Sequence, residues 1–399
     1  MYPTIYHFFF DTFGFSGPAW EWMKIINSFG FFVAMAFIAA HYILVVEVKR
    51  REGLGQFFSS KSQVEVGHPP KIKDILVSAL LGFVLGYKFV FMILNSSEVF
   101  SGPLKPQEYL LSFQGNWLAG IVLAGLFAWM RWREAKKEQL EKPEMRTLVI
   151  RPHEHIGNIT IIAAITGVIG AKLFHLIENP RQFIEFFTNP SLDNFLSGLT
   201  IYGGLLIGGG LTYFYTKRLG FKMIHFMDAA APALIASYGI GRIGCQVSGD
   251  GDWGIVNMNP KPDWLSWLPD WAWAYNYPNN VNGVGSLIAD GPCFEGYCTE
   301  LIPAVYPTPF YETMMALFIF GILWSLRKKW KIPGSIFALY LIFNGIERFL
   351  IESIRVNVKM DFLGMEITQA QLISTLFFLT GISLLIYFRK KYNTKQTQL

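Results

Sequence analysis

The chain has 399 residues, 52% of them hydrophobic and 16% aromatic, against 16% charged. Its net charge of +5 does not mark a nucleic-acid surface, because the basic residues are parcelled into short clusters between apolar blocks. Those blocks run to about 20 residues, the length that crosses a hydrocarbon core, which argues against two soluble domains.

Nine membrane-spanning helices are predicted in chain order, at residues 25–46, 75–94, 110–130, 159–177, 195–215, 223–243, 310–326, 335–354 and 371–388. Basic clusters then orient them. Lys49-Arg50-Arg51, the run 131–151, Lys217-Arg218, Arg327-Lys328-Lys329 and Arg389-Lys390-Lys391 fall on one side, and only Lys105, Arg181 and Lys261 stand out on the other. This places the N-terminus outside and the C-terminus inside. Residues 1–22 are aromatic and polar with no basic leader, so no cleavable signal is expected.

The second and third spans, within residues 75–130, read as an inserted hairpin, and two extra helices preserve the topology of everything downstream. At an offset of 84, Gly86 and Lys88 fall on Gly170 and Lys172, Asn95 on Asn179, Gly120 on Gly204 and Gly125 on Gly209. The hairpin is therefore either an internal copy of the fourth and fifth spans or a chance recurrence of small-residue packing. Tyr202-Gly203 corresponds to Leu118-Ala119 in the earlier hairpin, which is expected to be structural.

The sixth span leads into Tyr238–Gly254, Y-G-I-G-R-I-G-C-Q-V-S-G-D-G-D-W-G. An arginine at the mouth of a span is costly unless an anion meets it, so Arg242 marks a site for a phosphate-bearing lipid. Gly239 to Gly244 matches a dinucleotide fingerprint but follows a membrane helix rather than a strand. Asp250 to Gly254 echoes a calcium loop without the later glutamate, so no metal is expected. Residues 255–303 form a Trp-, Pro- and Asn-rich outer head loop, whose tryptophans read as an interfacial belt. Cys293 and Cys298 in it permit a disulfide and only weakly suggest zinc.

Polar residues of the spans agree in depth. Lys172 and His175, Tyr202, Arg242, Glu312, Arg348, Glu352 and Arg355 all fall near the outer face. Arg348, Glu352 and Arg355 share one helical face by their spacing. Forked donors suit a phosphate, so Arg242 and Arg348 are read as functional. For Glu312, Glu352 and Arg355 a structural ion pair is an equal alternative. His7, His41, His68, His153, His155 and His225 are given no role, and Asp228 is expected to cap or pair locally.

The run Arg242–Gly254 resembles the signature loop of the prolipoprotein diacylglyceryl transferase family, commonly G-R-x-G-N-F-x-N-x-E-x-x-G. Arg242 falls on its arginine and Asp250 on its acid, with Asp252 as rival because Gly254 fits only after a one-residue insertion. Cys245 and Ser248 replace its two asparagines. Gly167 to Lys172 resembles its G-x-x-x-G-[GA]-R, Tyr202-Gly203-Gly204 its H-G-G or Y-G-G, Tyr306 to Glu312 its H-P-[ST]-Q-L-Y-E, and Arg348 to Arg355 its R-x-x-x-E-x-x-R. Phe29 stands where the family often has tyrosine.

The resemblance implies an all-α polytopic membrane enzyme with a seven-span core and a small extracytoplasmic head. It implies transfer of the diacylglyceryl group of phosphatidylglycerol to the lipobox cysteine of a preprolipoprotein signal peptide, in the bacterial inner membrane, without a cofactor or nucleic-acid partner. Arg242, Arg348, Asp250 and Tyr202 are then the catalytic candidates. Gly203, Gly204, Gly244, Ser248, Gly254, Lys172, Tyr311, Glu312, Glu352 and Arg355 are the substrate-binding ones. An anionic-solute transporter and an inactive lipid-binding relative remain as alternatives.

Overall fold

The computed structural model describes residues 1–397, apart from 18, 102–105, 189–197, 199, 290, 292, 295, 358 and 363. Lys105 and the first residues of the expected fifth span lie outside the described residues.

The principal elements are α1 (Ile5–Phe13), α2 (Ser28–Gly53), β1 (Ser60–Val66), α3 (Ile72–Leu94), α4 (Trp117–Glu138), β2 (Glu144–Ile150) and α5 (Ile156–Glu178). They continue as α6 (residues 201–218), α7 (Met223–Ser248), α8 (Thr308–Leu326), α9 (Ser335–Glu352), β3 (Lys359–Phe362), β4 (Met365–Thr368) and α10 (Gln369–Thr397). Among the described residues, α2, α3, α5, α7, α8 and α10 are long and apolar enough to cross a membrane. The other three expected spans are helical as well. However, α6 carries a π turn at Gly204–Gly208, α4 ends in a basic tail, and the 18-residue α9 carries Glu347, Arg348 and Glu352.

Helix α7 is the centre, and it packs against α2, α8 and α9. Its glycines make this possible, since lipid gives helices no hydrophobic drive to associate and close backbone approach must supply it. A Cβ on Gly244 would stand 3.0 Å from Phe32 of α2, and one on Gly239 3.0 Å from Ala316 of α8. The other expected end of this helix was residue 243. It runs on to Ser248, because no residue breaks it until Gly249 adopts a left-handed φ of 65°. Part of the expected signature loop is therefore helix.

Two helical hairpins flank the centre, α3 with α4 and α5 with α6. Their crossings correspond at an offset of 84. A Cβ on Gly86 would run into the Ala119 carbonyl, as one on Gly170 would stand 2.5 Å from that of Gly203. Asn116 N–H donates to Tyr87 O (2.8 Å), and Thr200 N–H to Ala171 O (3.1 Å). Asn95 Nδ2 donates to Phe91 O and Asn179 Nδ2 to His175 O, each at 3.0 Å. Below the first hairpin, β1 and β2 pair antiparallel from Ser60↔Ile150 to Val66↔Glu144.

The basic end of the bundle holds a buried ion network that sequence reading missed. Glu47 accepts from Arg50 (2.5 and 2.8 Å), Arg51 (2.8 Å) and Arg327 (3.1 Å), joining α2 to α8. Asp228, expected to cap or pair locally, instead caps a distant helix: it accepts from Gly334 N (2.7 Å) and Phe337 N (2.9 Å) at the start of α9.

The opposite end carries the head. Tyr277, Leu301 and Val305 form its small core, and Cys293 is bonded to Cys298. Trp264 and Trp267 are exposed, in keeping with an interfacial belt. The N-terminal segment docks on the head: Tyr2 N–H donates to Val247 O (2.8 Å), and the His7 ring lies 4.8 Å from Phe294. His7, given no role from sequence, thus helps to seat this segment.

Candidate active site

The site is built where the head-side ends of α7, α8 and α9 meet. Arg242 lies 7% exposed on the last turns of α7, with its guanidinium 5.2 Å above the Tyr238 ring. The helix stops at Gly249, and Gly251 follows with φ of 98°, so the chain doubles back within three residues. That reversal returns Asp252 to the helix it has just left, where its carboxylate pairs with Arg242.

Glu312, on the first turns of α8, is wholly buried and gathers three arginines. Arg242 pairs with it through Nε, Arg348 Nη1 lies 3.3 Å away and Arg355 Nη1 3.2 Å away. Arg355 also pairs with Asp252, and Arg348 Nη2 lies 3.2 Å from Glu352 Oε2. Tyr238 donates to Glu347 Oε1 at 3.3 Å behind this layer. Buried cations of this kind persist only when paired or bonded. Here Arg242, Arg348 and Arg355 are balanced by Asp252, Glu312 and Glu352. Arg348, at 26%, is the most exposed of the three arginines.

The loop is pinned by backbone. Gly254 N–H donates to Tyr306 O (2.9 Å), Ile255 N–H to Ile354 O (2.8 Å), and Thr308 Oγ1 to Asp252 O (2.7 Å). A Cβ on Gly254 would lie 2.6 Å from Ile354 O, so only glycine lets the loop approach the end of α9.

Of the two acids expected as rivals, Asp252 is the one that pairs with the arginines. Among the described residues Asp250 forms no ion pair with them; it lies beside Cys245, with its Oδ1 accepting from Asp252 N at 3.3 Å. The two carboxyls titrate apart. Burial and the neighbouring Asp252 hold Asp250 above the usual carboxylate range. Burial pushes Asp252 up too, but Arg242 and Arg355 outweigh it and hold it below that range.

Several other candidates are placed as scaffold. A Cβ on Gly203 would run into the Gly170 carbonyl and one on Gly204 would stand 3.2 Å from that of Gly167, so both serve the α5–α6 crossing. Gly244 serves the α2–α7 crossing, and Ser248 Oγ donates to Gly244 O (2.8 Å) within its own helix. Tyr311 OH donates to Ala272 O (2.9 Å), tying the head to α8. Tyr202 is half-buried beside Gly203, and Lys172 is buried on α5. No hydrogen bond links Tyr202 to the arginine cluster among the described residues. Sequence reasoning missed Glu347 and Tyr238, and treated Glu312 as one pair among several. Only the spacing of Tyr238 one turn before Arg242, and the place of Glu347 next to Arg348, could have signalled them.

Comparison with known proteins agrees with this arrangement. A family model described as prolipoprotein diacylglyceryl transferase matches residues 133–387. A phosphatidylglycerol–prolipoprotein diacylglyceryl transferase of Bifidobacterium adolescentis is 27% identical over 280 residues, 68% of this chain and 72% of its own. The protein of that name from Corynebacterium diphtheriae is 30% identical over 212 residues, covering 52% of this chain and 69% of its own. One from Streptococcus pyogenes serotype M3 is 28% identical over 307 residues, 75% of this chain and 97% of its own. With the matched region spanning α5 to α10 and every arginine of the cluster, the chain belongs to the prolipoprotein diacylglyceryl transferase family.

Proposed function

We propose that the protein transfers the diacylglyceryl group of phosphatidylglycerol to the lipobox cysteine of a preprolipoprotein, releasing glycerol phosphate. The convergence of Arg242, Arg348 and Arg355 on buried Glu312 carries this reading. The substrate sulfur forms a bond to the glyceryl carbon while the carbon–oxygen bond to phosphate breaks. The phosphate oxygen departs with the electron pair of the broken bond, and the thiol proton ends on the departing glycerol phosphate. Negative charge therefore grows on the departing phosphate, where preorganised guanidinium donors stabilise it most. Arg348, the most exposed, meets the phosphate first, while Asp252 and Glu312 aim Arg242 and Arg355. On this reading Lys172 of α5 and Tyr202 of α6 are kept as substrate-side residues. Cys245 is no nucleophile, since the attacking sulfur belongs to the substrate.

The cluster lies at the head end of the bundle and the basic clusters at the other. This supports an outer-leaflet site in the bacterial inner membrane, with the N-terminus outside and the C-terminus inside. The Cys293–Cys298 bond in the head suits an oxidising compartment. The matching crossings support reading α3 and α4 as an inserted structural copy of α5 and α6.

Purified protein incubated with phosphatidylglycerol and a lipobox peptide should yield a thioether-linked diacylglyceryl peptide, read by mass. Lipid binding without product would instead indicate an inactive relative.

A further inference from the structure

Beside the arginine cluster lies a polar cavity of about 290 Å³ that none of the chemistry above uses. Its wall is the β3–β4 hairpin. In that register Lys359 stands opposite Thr368 and Asp361 opposite Glu366, while Met360 stands opposite Ile367. Side chains alternate across a strand, so one face is polar and the other apolar. Lys359, Glu366 and Thr368 of the polar face line the cavity, together with Glu352, Arg355 and Asn357. Ile255 is its apolar lining residue.

Arg355 joins cavity to cluster. Its side chain is 9% exposed, its two terminal nitrogens hold Asp252 and Glu312, and its buried Nε has no hydrogen-bond partner among the described residues. A buried donor left so is costly unless a ligand completes it.

We propose that this cavity is the subsite for the terminal glycerol of the lipid headgroup, the part of phosphatidylglycerol beyond the phosphate. This rests on reading the arginine cluster as the phosphate site. Two carboxylates, Glu352 and Glu366, face two cations, Arg355 and Lys359, so the lining is charge-balanced and favours neither a second anion nor an added cation. What it offers is adjacent acceptors and donors, the complement of a neutral vicinal diol. A choline head would need an aromatic cage, and among the described residues the lining contains no aromatic ring. An ethanolamine ammonium would meet Lys359 and Arg355. The cavity thus selects for a polyol and gives glycerol phosphate a wet route out.

Phosphatidylpropanol keeps the phosphodiester and lacks both hydroxyls, so it is the discriminating probe. Rates of thioether formation on a lipobox peptide are compared for the two lipids in wild type, Lys359→Met and Glu366→Gln. Wild type should prefer phosphatidylglycerol, and each variant should lose about tenfold of that preference through a higher lipid KM, the worth of one hydrogen bond to a charged group. An unchanged preference, or equal loss with both lipids, overturns the proposal. A rise in peptide KM alone also overturns it, assigning the cavity to the signal peptide. Wild type that makes product from neither lipid sinks the transfer reading itself, and the subsite with it.

Discussion

Glu312 stands where Arg242, Arg348 and Arg355 would otherwise repel one another, and it holds them with no exposed surface of its own. A phosphate entering this cluster replaces carboxylate contacts it resembles, so the arginines need little reorganisation. Their forked geometry matters more than their charge. Arg242→Lys should therefore leave a folded protein whose transfer rate falls about 10²–10³-fold, the cost of one lost charge-stabilising donor. Wild-type turnover by that variant would remove Arg242 from the mechanism.

The acids of the loop differ in kind. Asp252→Asn should be nearly inactive, because Arg242 and Arg355 both lose their partner, whereas Asp250→Asn should retain most activity. The pH profile separates them further. Asp252 is held low, so its stabilising pairs are present at and above the ordinary carboxylate range and are lost only as pH falls through its depressed value. Asp250 is held high and takes up its proton first on acidification, a change that favours the folded state as pH falls. The gain in stability on mild acidification should consequently vanish in Asp250→Asn, read as melting temperature against pH. The arginines were legible from span ends and helical spacing, and their acid only as a choice between Asp250 and Asp252. Counting residues cannot see that Gly249 and Gly251 reverse the chain.

Among elements, the hydropathy blocks overlap every long helix, but the ends of α2, α4 and α10 lie beyond the expected bounds, because their basic tails continue as helix outside the apolar block. The two small ribbons escaped notice because they sit between spans. The alternation Lys359-Met-Asp-Phe and Met365-Glu-Ile-Thr around Gly364 does carry a strand signal. The paired hairpins were legible as a repeat of glycines, and the structure adds what the lysine of the first one does. Lys88 Nζ donates to the carbonyls of Tyr109 (3.0 Å), Ser112 and Gln114 (2.9 Å), so it fastens its own loop. Lys88→Met should speed hydrogen exchange across residues 109–114 and leave transfer intact. Lys172→Met should lower transfer at equal expression, and equal loss at both positions would place the first hairpin in the site.

At the scale of the molecule, the bundle is tied at both ends by buried charge. The inner tie needs Glu47, which faces Arg50, Arg51 and Arg327 with no exposed surface. Glu47→Gln strands those guanidinium groups and should destabilise the protein by about 3–5 kcal/mol, seen as a lower melting temperature. Its transfer rate per folded molecule should stay near wild type, because the tie lies at the far end from the site. That α2 is the partner of α7 was not legible at all. The family model begins at residue 133, and the crossing of Gly244 with Phe32 joins segments about 200 residues apart.

The ribbon under the first hairpin has a consequence for how this chain can be cut. Val66 and Glu144 are cross-strand partners, so the chain leaves the core and re-enters it at one spot. On the proposal that the hairpin is an insertion, everything between them is a cassette. A two-residue turn such as Asn-Gly can then rejoin the strands, at the loss of the contacts of Lys24 and Ile25 with Phe100 and its neighbours. A shortened chain of that design should insert and perform the transfer, and so should two separately expressed pieces divided inside the cassette. Complementation of growth by either product measures how far the hairpin is a passenger.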